Sequence, residues 1–224
     1  MAPRQPNEGQ MRMKARTPEE TYGVALQKAQ QAFAELEPRQ AANRAGVSFQ
    51  AAPGHGGRFE ILFFGQPYYV HWPEGNVQQI ATPSGPDITT RILLLHYLAT
   101  ADGTPQKDQW IAFRNLPGGL GYEAAFQSRA NRRLSHTFGT NRVSFEAAAR
   151  ALAGERLSFG DASFLFRLLP RVWLAVVLNL ADEEFPANAN VLFDAAVSHY
   201  LPTEDLAVLG GMLAGRLVKA AQGS

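Results

Sequence analysis

The chain has 224 residues, of which 46% are hydrophobic and 18% charged, a balance typical of a globular protein with one well-buried core. Lys and Arg number 21 against 20 Asp and Glu, and this formal net charge of +1 predicts no general attraction to nucleic acid or to anionic lipid. The absence of cysteine excludes disulfides, iron–sulfur clusters, cysteine-ligated zinc and a thiol nucleophile.

The first 16 residues are polar and lack periodicity, so we expect a loose tail over residues 1–16 and a single folded domain over residues 17–224. This tail has no apolar centre of the kind that a secretory signal requires. No apolar run in the chain reaches the roughly 18 residues of a membrane span. We therefore expect a cytoplasmic protein without membrane contact.

The first folded element is predicted to be a helix that begins with Thr17 as its N-cap and ends near Leu36. Short β-branched and aromatic runs follow, and turns rich in Gly and Pro separate them, which is typical of an antiparallel meander. The three runs are VSFQAA, RFEILFF and YYVHW, and GNVQQIA is predicted to add a short fourth strand.

Asp87 is predicted to cap a second helix, ITTRILLLHYLATA, which we expect to lie on the sheet. The next residues predict a strand over 109–113, a turn at 116–119, and short helices over 122–133 and 144–152. The runs SFLFRLL and VWLAVVLNL, joined through Pro170, predict a hairpin whose second strand is apolar on both faces. That second run is therefore the predicted central strand.

The segment NVLFDAAVSHY has apolar residues at helical spacing, so we predict a helix that turns Asp194 away from its apolar face. A last helix opens at Pro202, and its core stripe consists of Leu206, Leu209, Leu213 and Leu217. Gly211 and Gly215 lie one turn apart and are expected to let a neighbouring element approach closely. The fold class predicted from these elements is α+β, in which an antiparallel sheet of meander and hairpin packs with several helices.

Three consecutive carboxylates, Asp182-Glu183-Glu184, follow the predicted central strand, where loop residues often bind ligands or hard cations. Alternate residues of an extended segment point the same way, so Asp182 and Glu184 are the candidate metal ligands of this run. Asp161 and Asp194 are the further carboxylates considered. The alternative interpretation is a solvated turn.

Four other residues are candidates for ligand binding. His96 lies on or beside the apolar face of the second helix, where it could ligate a planar cofactor or donate to a backbone carbonyl. Arg114, next to Trp110 and a glycine-rich turn, could hold an anionic group or pair with a surface carboxylate. We expect a pocket around His96 whose rim contains Trp110, Arg114 and Phe185.

Several longer strings are specific enough to label a family, and with them the chain resembles the prokaryotic family catalogued as domain of unknown function 3786 from about Tyr22 to Leu217. The strings are DEEFPANANVLFDAAVSHYLPTEDLAVLG, WIAFRNLPGGLGY and FGDASFLFRLLPRVWLAVVL. The resemblance implies relatives that are fused to, or accompany, a four-cysteine iron–sulfur module of corrinoid proteins in anaerobic one-carbon metabolism. This chain has no cysteine, so the resemblance implies a corrinoid or tetrapyrrole link only through a partner or a bound cofactor.

Two functional hypotheses follow. The first is a non-catalytic binding or accessory domain that takes a small-molecule ligand or a protein partner in an apolar pocket, with no particular cofactor specified by the residues. The second is a metal-dependent hydrolase or transferase that uses Asp182, Glu184 and further carboxylates such as Asp194, with the metal lowering the pKa of a bound water.

Overall fold

The structure is a computed structural model that describes residues 18–80 and 85–223. The predicted tail over residues 1–16 and the predicted cap at Thr17 lie outside the described residues. The helices are α1 Pro18–Ala34, α2 Pro38–Ala45, α3 Ile88–Thr100, α4 Glu123–Phe126, α5 Arg132–Phe138, α6 Arg142–Ala151 and α7 Thr203–Gln222. The strands are β1 Ser48–Ala51, β2 Gly57–Phe63, β3 Gln66–Trp72, β4 Asn76–Gln79, β5 Trp110–Ala112, β6 Glu155–Leu157, β7 Ala162–Leu169, β8 Val172–Asn179 and β9 Asn188–Asp194.

The predicted meander is confirmed, including its short fourth strand. Strands β1 to β4 form an antiparallel sheet in sequential order. Along β2, Phe59, Ile61 and Phe63 are buried whereas the alternate residues Glu60 and Leu62 are exposed. Only one face of this sheet therefore packs against the core, as the period of two along a strand dictates.

The predicted hairpin is confirmed as β7 and β8, but it belongs to a second, five-stranded antiparallel sheet of order β5-β9-β8-β7-β6. The expectation of one sheet that contains both meander and hairpin is therefore wrong, while the α+β class is confirmed. In β8 the residues from Leu174 to Leu178 are all buried, so both faces of this strand are covered. Burial on both faces agrees with its prediction as a central strand.

The helix predicted over the segment NVLFDAAVSHY is wrong. Asn188–Asp194 is strand β9, and a short 3-10 turn, Val197–His199, follows it. Ala189, Val191 and Phe193 are buried and alternate with less buried residues. The spacing of the apolar residues fits the period of a helix as well as that of a strand. Strand β9 pairs with β8 on one side and with β5 on the other, and this pairing outweighs the local helical pattern.

Helix α3 begins as predicted, because Asp87 accepts a hydrogen bond from the backbone N–H of Thr90 at 2.9 Å. Its closest backbone neighbours are α1 and α2, and its expected docking on the sheet stays a prediction. Helix α2 itself was not predicted. Its sequence, PRQAANRA, is short and polar, and its only apolar residues are alanines.

The four leucines predicted as the core stripe of α7 are all fully buried. They pack this helix mainly against α5, α6 and the π-helical turn Gln127–Asn131 between α4 and α5. The close approach expected at Gly211 occurs at Gly210 instead. A Cβ at Gly210 would meet the Phe126 ring at 2.5 Å, whereas one at Gly211 would meet only the Arg129 Cβ at 3.9 Å.

The tip of the β2–β3 hairpin joins the two sheets. The backbone N–H of Phe64 in this tip donates to the carbonyl oxygen of Leu168 in β7 at 2.9 Å. One continuous hydrophobic cluster includes side chains from both sheets and from α1 to α7. Within the described ranges, no helix is both long enough and apolar enough to cross a membrane.

Candidate functional site

A cleft of about 870 Å³ lies beside the point where the two sheets meet. One wall comes from β1, β2 and the β2–β3 turn, the opposite wall from β7 with the end of α6, and α7 contributes the side chains between them. We call it the inter-sheet cleft. Its large apolar lining residues are Val47, Leu62, Phe64, Leu152, Phe166, Leu168, Leu169 and Leu213.

The inter-sheet cleft exists because the second sheet is incomplete at its edge. Strand β6 pairs with β7 only as far as the Glu155–Leu165 position. The rest of β7, from Phe166 to Leu169, therefore extends beyond the end of β6. In this part of β7, the carbonyl oxygen of Leu168 accepts the hydrogen bond from the backbone N–H of Phe64. Leu62, an exposed apolar residue on β2, projects from the facing wall with 54% of its surface exposed.

Two residues that line the cleft have strained backbones. Among the described residues, three that are not glycine have positive φ, and two of these, Phe64 at 49° and Ala153 at 56°, belong to the cleft lining. A bulky side chain in the left-handed region costs about 1–3 kcal/mol and persists only where surrounding contacts hold it. Such strain concentrates at functional sites and ligand clamps, which makes this cleft the leading candidate site.

The two arginines of the cleft differ in their partners. Arg167 pairs with Glu155, Nε to Oε1 at 3.1 Å, and its guanidinium lies 4.6 Å from the centre of the Trp173 ring. Arg216 lies 4.0 Å from the centre of the Phe64 ring. No described residue forms an ion pair or hydrogen bond with the guanidinium of Arg216. Burial lowers the pKa of Arg216 from its ordinary value. An arginine side chain nevertheless remains a cation at neutral pH.

The ligand-binding residues predicted from sequence do not form one pocket. His96 Nδ1 lies 2.6 Å from Asp205 Oδ2, in the first turn of α7, so this histidine is engaged by a carboxylate. Trp110 lies in β5 on the edge of the second sheet, Arg114 is exposed in a 3-10 turn, and Phe185 is 66% exposed. None of the four lines the inter-sheet cleft. Their expected grouping around His96 and ligand binding by each stay predictions.

The candidate metal ligand Asp194 is buried rather than turned away from the core. Its two carboxylate oxygens accept hydrogen bonds from the backbone N–H groups of Lys107, Asp108 and Ala196 at 2.8–3.1 Å. Asp194 lies six residues along β9 from Asn188, where the carboxylate loop ends, a separation of about 20 Å. Asp194 therefore orders the segment before β5 and is far from the Asp182 loop.

The Asp182 loop forms a shallow hollow of about 650 Å³, and Asp161, Asp182 and Phe185 are among its lining residues. Asp182 Oδ1 accepts from the backbone N–H groups of Glu184 and Phe185, which holds the turn. These hydrogen bonds lower the pKa of Asp182. The Glu184 side chain is exposed and does not line the hollow. In the part of the chain that the structure describes, no three His, Asp or Glu side chains are grouped to hold a metal ion.

Arg216 and Phe64 line the cleft but were not among the candidate site residues predicted from the sequence. Arg216 follows Leu213 by three positions, so the two share a helix face, and a lone arginine beside a leucine stripe was the available signal. Phe64 precedes Gly65 in the turn between two strands, and its positive φ becomes visible only in the folded hairpin.

The chain matches one family over residues 37–216, about four fifths of its length, and that family is described as a domain of unknown function, DUF3786. The chain belongs to this family. The match begins later than the resemblance suggested, so α1 lies outside it. Every residue that lines the inter-sheet cleft falls within the matched DUF3786 range. Neither the comparison with curated proteins nor the comparison with solved structures found a match.

Proposed function

We propose that this DUF3786 protein is a non-catalytic binding or accessory domain and that the inter-sheet cleft holds its ligand. The observation that carries the proposal is the combination of an apolar cleft with two strained lining residues, Phe64 and Ala153. A volume of about 870 Å³ falls within the range of about 300–1,000 Å³ for small-molecule sites. The open edge of β7 gives a ligand access to backbone and apolar side chains together.

The chemistry of the lining supports binding rather than catalysis. Its titratable side chains are Glu60, Glu155, Arg167 and Arg216. The serine in the lining, Ser48, forms no hydrogen bond with a side chain that could act as its base among the residues that the structure describes. A nucleophile within hydrogen-bond reach of a base is what covalent catalysis requires. A cytoplasmic location remains part of the proposal and rests on composition.

A fluorescent probe tests whether the cleft takes apolar ligands. We expect the neutral dye phenylnaphthylamine to bind the wild-type protein and Leu62→Gln to weaken its affinity about fivefold, because the substitution removes about 1 kcal/mol of apolar contact. Leu120→Gln is the matched control, since Leu120 is 78% exposed and lies outside the cleft lining. Absence of binding, or equal effects of the two substitutions, would contradict the proposal.

A corrinoid or a tetrapyrrole remains the proposed cofactor class, supported only by the family resemblance. Haem and a corrinoid would be titrated separately into the protein while the absorption spectrum and the melting temperature are followed. A spectral shift with a raised melting temperature is the expected result, because a ligand that binds only the folded state stabilises it. If neither the absorption spectrum nor the melting temperature changes with haem or with the corrinoid, the cofactor part of the proposal fails. The titration with the neutral dye still decides whether the cleft binds a ligand.

A further inference from the structure

We infer that Arg216, held against Phe64, is the anion-binding end of the inter-sheet cleft, so that the ligand is an apolar molecule that carries a carboxylate or another oxyanion. The inference rests on the proposed function, because it assigns a chemical class to the ligand of the same cleft. It adds a specificity-determining residue that lies outside the four sequence candidates.

Arg216 lacks a carboxylate partner among the described residues. Its guanidinium is half-buried in the cleft wall, packs on the face of the Phe64 ring and is paired with no carboxylate among the described residues. A buried arginine usually has a carboxylate or phosphate partner, since its planar fork of N–H donors fits two oxygen atoms at once. The missing partner is therefore expected to come with the ligand.

Arg167 provides an internal comparison. Both arginines line the same cleft and both stack on an aromatic ring, at 4.6 Å for Arg167 and 4.0 Å for Arg216. Arg167 already has Glu155 at 3.1 Å, so its charge is compensated within the protein. Only the charge of Arg216 is left for an incoming anion in the cleft.

The acidic groups near Arg216 do not replace a ligand anion. Asp87 acts on Arg216 through its charge, whereas the Tyr68 hydroxyl is uncharged at neutral pH because burial raises its pKa. The carboxylate of Asp87, however, accepts hydrogen bonds from the backbone and the hydroxyl of Thr90 as the cap of α3. Glu60 also belongs to the cleft lining, and no ion pair joins it to Arg216 within the described residues.

The Phe64 ring is held in a fixed position against Arg216. Its backbone is held at a φ of 49° while its N–H donates to Leu168, so the ring that supports Arg216 is fixed at the meeting point of the sheets. Leu213 lies one helical turn before Arg216 and lines the same cleft. An apolar wall directly beside a cation that has no ion-pair partner among the described residues fits a ligand with an apolar body and an anionic end.

Two dyes with the same rings test this inference. Anilinonaphthalene sulfonate carries an oxyanion, and phenylnaphthylamine lacks it. In fluorescence titrations we expect Arg216→Gln to weaken the sulfonate dye about tenfold or more and to leave the neutral dye within about twofold, since one charge-assisted pair is lost. Arg129→Gln is the matched control, since Arg129 is exposed and lies outside the cleft lining, and it is expected to leave both affinities unchanged. Circular dichroism and melting temperature establish that each variant is folded.

The outcomes separate the two proposals. Equal sulfonate affinity in wild type and Arg216→Gln overturns the anion assignment, and so does an equal loss for both dyes, which would indicate a structural role. Failure of the neutral dye to bind the wild-type protein overturns the proposed function itself. If Arg216→Gln does not fold, salt dependence of the wild type decides: sulfonate affinity that falls with added salt while neutral-dye affinity stays constant supports the assignment, and equal dependence overturns it.

Discussion

Gly210 of α7 lies directly against the ring of Phe126, so that a Cβ on this glycine would come 2.5 Å from the ring atom Cε2. The ring cannot easily move, because it is buried and stacks on Phe113 with the ring centres 4.2 Å apart. We expect Gly210→Ala to lower the free energy of unfolding by about 1 kcal/mol. Overpacking of about 1–3 kcal/mol exceeds the roughly 1 kcal/mol gained in helix propensity. Chemical denaturation measures the change.

The neighbouring glycine is the control for this prediction. A Cβ at Gly211 would have only the Arg129 Cβ within 4 Å, at 3.9 Å. Gly211→Ala should therefore raise the free energy of unfolding by up to about 1 kcal/mol through helix propensity alone. If both substitutions change stability in the same direction, the packing of α7 against Phe126 is not as described.

Removal of the Asp194 carboxylate is expected to be strongly destabilising. The side chain is buried and accepts from three backbone N–H groups, those of Lys107, Asp108 and Ala196. Asp194→Ala leaves these donors without their acceptor, and hydrogen bonds to a charged group are worth about 1.5–3 kcal/mol each. We expect a loss of at least about 3 kcal/mol in urea denaturation. Asp194→Asn keeps one oxygen and should lose less, and equal losses would count against this account.

The carboxylate of Asp102 is expected to make the stability of the protein depend on pH. Its carboxylate accepts from the backbone N–H of Thr104 at 2.9 Å and pairs with His199 Nδ1 at 2.7 Å. These contacts, the Thr104 bond first, lower the pKa of Asp102 from 3.8 to about 2. A lowered pKa means that the contribution to stability is present above the unfolded-state value and is lost as the pH falls from about 4 through about 2.

The test compares the melting temperatures of wild type and Asp102→Asn between neutral pH and pH 2. The wild type should melt higher at neutral pH, and the difference should shrink below about pH 4 and approach zero as the pH falls through about 2. Because the Asp102 side chain is 48% exposed, the difference at neutral pH is expected to be small. A difference that stays constant over this range would show that the Asp102 carboxylate is not the titrating group.

The metal hypothesis has its own test at the Asp182 loop. Asp182 already accepts from two backbone N–H groups, and Glu184 is exposed and does not line the hollow that Asp182 lines. We therefore expect isothermal titration calorimetry with magnesium and manganese to give the same result for wild type and for the Asp182→Ala, Glu184→Ala double variant. Glu183→Ala is the charge control. Loss of metal binding in the double variant alone would restore the metal-dependent hydrolase hypothesis.

The elements with a strong local signal were predictable from sequence. The meander was readable because β-branched and aromatic runs alternate with Gly and Pro turns, and α7 was readable from its four leucines at helical spacing. Asp87 identified the start of α3, since an acidic side chain can satisfy the free N–H groups of a helix N-terminus. Each of these signals is contained in a short stretch of chain.

The errors arose where distant segments compete with local pattern. Asn188–Asp194 has apolar residues that fit a helix or a strand, and its pairing with β8 and β5 decides for a strand. The same pairing brings Asp194 under the backbone of Lys107 and Asp108, 87 and 86 residues away along the chain. No short-range pattern predicts such a contact.

The sequence by itself determined the α+β class, the α7 leucine stripe and the absence of cysteine chemistry, because composition and residue spacing act locally. Only the tertiary structure decided which residues form the inter-sheet cleft. Arg216 and Phe64 are separated by 152 positions in the numbering, and they meet because the β2–β3 turn reaches across to β7 beside α7. Such long-range packing determines whether an arginine forms an ion pair with a carboxylate, as Arg167 does with Glu155, or lacks one.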